Sequence, residues 1–387
     1  MRQVAVIGIG ETKMGRLPEI SLRELIKVAG NAAITDAGID RKDIQALYFS
    51  NFNAQELCGQ GHMGSLASEV LNLGHIPTIR TEGACASGSI AFRQGLIAVM
   101  SGIYDIVLVG GVEKMTHQTT PVITNAIASA MDFSLEAQEG FTFPASFAMI
   151  ANRYFAEHRN VKKEMALVAV NAHKNGCLNP NAQMQKEIGF EKVMAADLIA
   201  DPLSLFDCSL MTDGAAFAVI TTKEIAKKLA KHRVIEVVGS GHAGDTITLA
   251  TKKSITSFAA TKLAASQAYQ QSGLKPIDID LAEVHDCFTI TQIINFEDLG
   301  FAEAGKGGDA VLNGDMCING KKPINTSGGL KAKGHPIGAT GLSQIFEIIT
   351  QLRGDAGLRQ NKKADIGLTH NLGGTAGTCL IHIFKGE

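Results

Sequence analysis

The chain has 387 residues, of which 45% are hydrophobic and 19% charged, with 41 glycines. That length and composition describe a well-buried globular protein of two to three domain-sized units, or one large duplicated unit. A formal net charge of −2 offers no general attraction for nucleic acid or an anionic membrane, and no apolar run reaches the ~18 residues that a membrane-spanning helix needs.

In chain order, residues 4–9 read as a short buried strand, entered at once with no apolar leader before it. The last residues, Phe-Lys-Gly-Glu, carry no peroxisomal address, so the expectation is a soluble, cytoplasmic protein. Residues 21–37 read as a helix, with Ser21 as N-cap, Glu24 at the capping-box position and Gly38 as terminator. Residues 44–50 form the next strand. Residues 81–89, Thr-Glu-Gly-Ala-Cys-Ala-Ser-Gly-Ser, then place Cys85 among small residues at the mouth of a helix over 87–100. Arg93 and Gln94 are the only long polar side chains in that helix, which predicts burial almost all round. Unpaired N–H groups and the positive end of the dipole favour thiolate there, and the thiolate is the nucleophile. A small buried cysteine at a tight strand-to-helix turn is the alternative.

Residues 105–111 are an apolar run of parallel-strand type. From 118 to 205 the character changes to helical patterns, at 145–156 and 162–175, among turn-rich pieces containing Pro121, Pro144, Pro180 and Pro202. This segment reads as an insertion that folds over the core, and residues 215–221 return to a β-like run. The basic cluster from Lys227 to Arg233 reads as a solvated helix face. Seven cysteines, at 58, 85, 177, 208, 287, 317 and 379, are scattered with no C-x-x-C pair, which argues against a disulfide framework or a structural zinc site.

The second half repeats the first. Asp36-Ala-Gly-Ile aligns with Gln271-Ser-Gly-Leu, Cys85-Ala-Ser-Gly with His335-Pro-Ile-Gly, and Asp105-Ile-Val-Leu with Asp365-Ile-Gly-Leu. The shared order of helix, turn, strand, reactive residue, helix and strand predicts a duplicated α/β unit. Packed about a pseudo-two-fold axis, Cys85 and His335 would come from equivalent helix mouths.

Three further stretches bear chemistry. His285-Asp286-Cys287-Phe288 follows an apolar run; while the chain stays extended, His285 and Cys287 share one face and Asp286 and Phe288 the other. The glycine-rich segment 325–341 lacks the phosphate-loop pattern, although Lys331 and Lys333 stand in it, and reads as a loop that holds His335 rigidly. In His370-Asn371-Leu372-Gly373-Gly374, backbone N–H groups of a glycine turn can face a developing oxyanion. Nothing in the spacing of Cys85, His285, Cys287 and His335 demands a metal, and none is expected.

Together C-A-S, H-D-C-F, G-H-P-I-G-A-T-G and H-N-L-G-G resemble the thiolase superfamily, nearest its sterol-carrier-protein-2-type and archaeal branches; G-V-E-K-M-T at 111–116 and D-G-A-A at 213–216 look like further landmarks. The resemblance implies a duplicated five-layer αβαβα thiolase fold. Its N-terminal half comprises residues 1–117 and 206–222, its inserted loop domain residues 118–205, and its C-terminal half residues 223–387. It also implies reversible condensation of two acyl-CoA molecules, acetyl-CoA in the first instance, to 3-oxoacyl-CoA plus coenzyme A. No cofactor beyond these thioester substrates is implied. By resemblance Cys85 becomes acylated, His335 takes its proton and, with a water near His285, binds the thioester oxygen of the second substrate. Cys287 moves the α-proton, and the N–H groups of Cys85 and Gly373 form an oxyanion hole. Many thiolases carry their proton-transfer cysteine where this chain has Asn371, and Asn-Glu-Ala-Phe where it has His285-Asp-Cys-Phe; His370 is left without a role. A homodimer or homotetramer is implied, together with 3-hydroxy-3-methylglutaryl-CoA synthase and a small zinc-containing OB-fold protein as partners. Two rivals stay open: a decarboxylating 3-oxoacyl synthase, and a non-catalytic acyl-CoA-binding scaffold.

Overall fold

The computed structural model describes residues 1–229 and 231–387. Nine strands make one sheet: β1 (Val4–Glu11), β2 (Ala46–Ser50), β3 (Thr78–Thr81), β4 (Ile106–Glu113), β5 (Gly214–Thr222), β6 (Ile235–Gly244), β7 (Leu281–Val284), β8 (Ile366–Gly373) and β9 (Thr378–Gly386). Their order is β3-β2-β4-β5-β1-β6-β9-β8-β7. Read outward from the β1–β6 junction, the two sides match. β1–β5 and β5–β4 are antiparallel and β4–β2 parallel; β6–β9 and β9–β8 are antiparallel and β8–β7 parallel. Where β3 would have its counterpart, a single parallel bridge joins Ala282 to Ile324. Among the described residues, the strands of the two sides join only through Ala5↔Glu236 and Val6↔Ile235. The duplication read from the sequence is thus present in four strands of each half, with β3 matched only by that bridge.

Helices complete the layers. α1 (Leu22–Ala37) covers β1 and β5 on the outside of the first half. α2 (Ser87–Ser101) follows the Cys85 turn. α3 (Phe143–Glu157) and α4 (Lys162–Cys177) belong to the segment between β4 and β5. α5 (Ala259–Ser272) covers β6 and β9, and α6 (Thr340–Arg353) packs on α2 between the two halves of the sheet. The succession is helix, sheet, helix, sheet, helix. The central pair, α2 and α6, touches strands of both halves, so it must be apolar around most of its girth. α2 departs slightly from that expectation: Gln94 is exposed and Ile97 is 46% exposed, because one edge of the helix runs along solvent.

β5 is buried at all nine residues, which explains its unbroken Gly-Ala-Ala-Phe-Ala-Val-Ile-Thr-Thr run. Within the segment 118–205, residues 120–128 pack beside Cys85, with Ile123 and Ala126 against Leu57 and Met115, and α3 lies over the second half. Phe147, Ile150 and Tyr154 of α3 share one core with Phe288, Ile290 and Ile293, and the Tyr154 hydroxyl donates to Glu297 Oε1 at 2.5 Å. It thereby supplies one wall of the cavity described next. Among the described residues, no helix is long and apolar enough to cross a membrane.

Candidate active site

Cys85 sits in a single tight turn, Ala84–Ala86, that precedes α2. Ala84 has φ +50, a left-handed conformation that costs an alanine energy. Neighbours hold it there. Glu82 Oε1 accepts the Ala84 N–H at 2.5 Å, Ser87 Oγ accepts the Gly83 N–H at 3.0 Å, and the Ser87 hydroxyl donates to the Ala84 carbonyl at 2.6 Å. Gly373, at the end of β8, lets the two segments meet, since a Cβ there would stand 2.3 Å from the Gly83 oxygen.

Burial pushes the Cys85 thiol up to about 12, the backbone N–H groups of Gly374 and Cys85 offset part of that rise, and the Glu113 charge adds to it. The thiolate expected at the helix mouth is therefore not the resting form. Desolvation outweighs the dipole, and the extra turn sets the sulfur back from the helix proper. The Gly374 N–H is the largest influence holding the Cys85 thiol down against burial, and Gly373, the glycine implied for the oxyanion hole, directly precedes it at the end of β8. Gly374 lies just past β8 with φ +59.

His335 is fixed by its own loop. Its N–H donates to Thr212 Oγ1 at 2.9 Å, and its Nδ1 lies 2.7 Å from Thr340 Oγ1. The Thr340 hydroxyl hydrogen goes to the Pro336 carbonyl at 2.9 Å, so Thr340 accepts from Nδ1–H and leaves Nε2 with a free lone pair. Burial lowers this imidazole to about 3. His285 lies opposite, ring centroids 5.2 Å apart and planes at 81°. Its N–H donates to His370 Nδ1 at 3.3 Å, and its carbonyl accepts from Asn295 Nδ2 at 2.9 Å. Burial, then the neighbouring His335 and His370, hold it neutral. His370 is therefore a clamp on the start of the His285–Cys287 loop, with its Nε2 against Thr261 Oγ1 at 3.0 Å.

Cys287 has Thr291 Oγ1 3.7 Å from its sulfur, and its carbonyl accepts the Ser209 N–H at 2.8 Å. Burial, and then the proximity of Cys85, push this thiol up. Cys85, His285, Cys287 and His335 line one cavity of about 460 Å³, walled by Phe143, Phe147, Ile199 and Leu205 from the 118–205 segment. The extended-chain alternation holds for His285, Cys287 and Asp286, whose Oδ1 turns away to accept the Leu330 N–H at 2.7 Å. It fails for Phe288. The strand ends at Val284, and Phe288 swings into the cavity wall to stack on Phe147, centroids 4.5 Å apart.

Neither lysine of the glycine-rich segment offers a phosphate cradle. Lys333 is buried against Glu11 Oε2 at 2.9 Å and the Ser343 carbonyl, and Lys331 is buried with no partner for Nζ among the described residues. Donor atoms of Cys85, His285 and His335 do lie within 4.8 Å of one another. As a metal set they are poorly disposed, because Asn371 Nδ2, 3.1 Å from His285 Nδ1, claims that lone pair and leaves Nε2 protonated. A second cleft of about 510 Å³, beside Phe301 and Lys322, contains none of these residues. Sequence reasoning missed Thr340 and Phe147. Thr340 alone had a local signal, five residues after His335 at the first turn of α6.

What this arrangement offers is a buried thiol, a base poised to take its proton, a second thiol, and N–H groups on both sides. Residues 4–224 match the family model described as thiolase, N-terminal domain, and residues 241–386 that described as thiolase C-terminal domain-like. An acetyl-CoA acetyltransferase of Methanothermobacter thermautotrophicus is 47% identical over 385 residues, covering 100% of both chains. Sterol carrier protein 2 of Homo sapiens is 31% identical over 401 residues, covering 100% of this chain and 72% of its own. A solved structure described as an Ltp2-ChsH2(DUF35) aldolase has a TM-score of 0.85 at 26% identity, covering 98% of this chain and 97% of that one.

Proposed function

The chain belongs to the thiolase family, and from that premise we propose that it condenses two molecules of acetyl-CoA to acetoacetyl-CoA and coenzyme A, reversibly, through an acyl-Cys85 intermediate. The observation that carries this reading is the convergence of Cys85, His285, Cys287 and His335 on one cavity. The Cys85 thiol gives its proton to His335 Nε2 as the sulfur attacks the thioester carbon. The C–S bond to coenzyme A breaks, and the departing thiolate collects that proton. The N–H groups of Cys85 and Gly373 support the oxyanion. Cys287 then passes its own proton to His335 and, as thiolate, takes the α-proton of the second acetyl-CoA. The enolate carbon attacks the acyl carbon, the bond to Cys85 breaks, and the Cys85 sulfur recovers a proton from His335.

Cys287→Ala separates the half-reactions. Its intact mass should still show the acetyl adduct on Cys85, while acetoacetyl-CoA synthesis falls by about 10²–10⁴. Condensation at near-parent rate would remove Cys287 from the mechanism. An assay supplied with acetyl-CoA alone distinguishes this reading from a decarboxylating synthase, and formation of the adduct distinguishes it from a scaffold.

The partners belong to the same proposal: a homodimer or homotetramer that works beside 3-hydroxy-3-methylglutaryl-CoA synthase and a small zinc-containing OB-fold protein. Exposed Leu198, Ile199 and Leu205 beside the cavity support a covering chain, as does the likeness to a solved structure whose description names a second component.

A further inference from the structure

Asn371 lies in β8, fully buried, between the nucleophile and one imidazole. Its amide nitrogen is 3.0 Å from the Cys85 carbonyl oxygen and 3.1 Å from His285 Nδ1. An amide nitrogen carries two hydrogens and no usable lone pair, so both contacts are donations. Turning the amide over would set its oxygen against the Cys85 carbonyl, two acceptors face to face. The orientation is thereby fixed by chemistry, and with it the lone pair on His285 Nδ1. A neutral His285 then carries its proton on Nε2, the nitrogen left for the cavity.

His335 is set the other way. Thr340 receives its Nδ1–H, and its Nε2 is the acceptor. Two imidazoles at 5.2 Å thus hold opposite tautomers: one can only accept a proton, the other can only donate a hydrogen bond. Asn371 achieves this at a cost the fold bears openly. Its Oδ1 is buried without a partner among the described residues, and it lies 2.4 Å from where a Cβ on Gly341 would stand, so only glycine leaves the amide room.

We propose that Asn371 is a positioning residue that assigns His285 its role, holding an Nε2–H ready for the oxygen of the second thioester as it becomes an enolate, while the same amide pins the carbonyl of the nucleophile. The assignment rests on the condensation reading above, and it explains why an amide suits a site in which the proton-moving thiol comes from Cys287.

The test is the tautomer of His285, read from imidazole ¹⁵N shifts in full-length protein labelled at histidine, without substrate. The expected result is Nε2–H for His285 and Nδ1–H for His335 in the parent. In Asn371→Asp, whose carboxylate can only accept, the His285 proton should move to Nδ1. The kcat for acetoacetyl-CoA formation should fall by about 10²-fold or more, with KM changed by less than about threefold, as for loss of a transition-state donor. Nδ1–H on His285 in the parent, or an Asn371→Asp variant that keeps both the parent tautomer and the parent kcat, would overturn the proposal. Because the resting tautomer is read without turnover, it decides the role of Asn371 separately from the substrate. It also does so on the parent alone if the variant fails to fold.

Discussion

Cys85 and His335 rest as neutral thiol and neutral imidazole, because one environment pushes their titrations apart in the direction that hinders ionisation. A helix terminus is worth about 0.3–1 kcal/mol to a charge, whereas desolvation of an ion costs several kcal/mol. The charged pair therefore forms only as the thioester arrives and its carbonyl begins to accept the sulfur. This has a simple pH signature. A thiol raised to about 12 is protonated at neutral pH, and its thiolate fraction grows about tenfold per pH unit until the titration is reached. Alkylation of Cys85 by iodoacetamide, followed by peptide mapping, should rise log-linearly from pH 6 to 9 without levelling. A plateau near pH 7 would reveal a preformed thiolate–imidazolium pair.

The elements that hold the site are joined by a few buried acids. Glu113, at the end of β4, accepts four N–H groups. Asn51 Nδ2 at 2.9 Å and Asn53 N at 3.1 Å reach Oε1; Phe52 N at 3.0 Å and Gly338 N at 2.9 Å reach Oε2. Burial still drives its carboxyl up to about 7 against those donors. The Gly338 contact ties β4 to the loop that carries His335. In Glu113→Gln an amide NH₂ would face N–H donors and leave them unpaired, a loss of about 3 kcal/mol or more. Denaturant midpoints measure it, and unchanged stability would mean that the loop stands by itself. Asp213, buried, likewise accepts from Lys114 Nζ at 2.7 Å, Met115 N at 2.6 Å and Thr116 Oγ1 at 2.6 Å. The two landmarks at 111–116 and 213–216 are therefore one structural clamp.

Helix α1 was readable because its caps are chemical. Ser21 Oγ accepts the Glu24 N–H at 3.1 Å, and Gly38 turns at φ +67. β6 gave no such signal. Its Gly239 and Gly241 look like turn residues, yet they are glycine because α5 lies almost on the strand, with the Ala268 and Ala264 oxygens 2.6 and 1.9 Å from where their Cβ atoms would be. Close packing between distant segments dictated composition there, and local pattern cannot report it. The candidate site was legible for the same reason that α1 was, since Cys85, His285, Cys287 and His335 are reactive types in glycine-rich settings. Thr340 was not, because which hydroxyl faces a ring is a matter of orientation.

At the scale of the molecule, the two halves meet where α2 and α6 begin. A Cβ on Gly88 would stand 3.0 Å from the backbone nitrogens of Gly341 and Leu342 and 3.2 Å from the Gly338 carbonyl. None of these backbone atoms can swing aside as a side chain would. Gly88→Val should therefore spread the central helices, at about 1–3 kcal/mol of stability. It should lower kcat disproportionately, by about 10²-fold, since both helix mouths shift together. Parent stability and parent kcat together would show that the crossing has slack.

The matching strand order on either side of β1 and β6 has a historical consequence. A pair of identical halves related by true two-fold symmetry would present the same residue from each mouth, two thiols or two imidazoles. Cys85 and His335 occupy the equivalent positions in this chain. Division of labour between nucleophile and base becomes available only once the halves are encoded separately within one polypeptide, free to diverge while still bound to meet. Fusion of the duplicates is thus what allowed a symmetric architecture to house an asymmetric reaction.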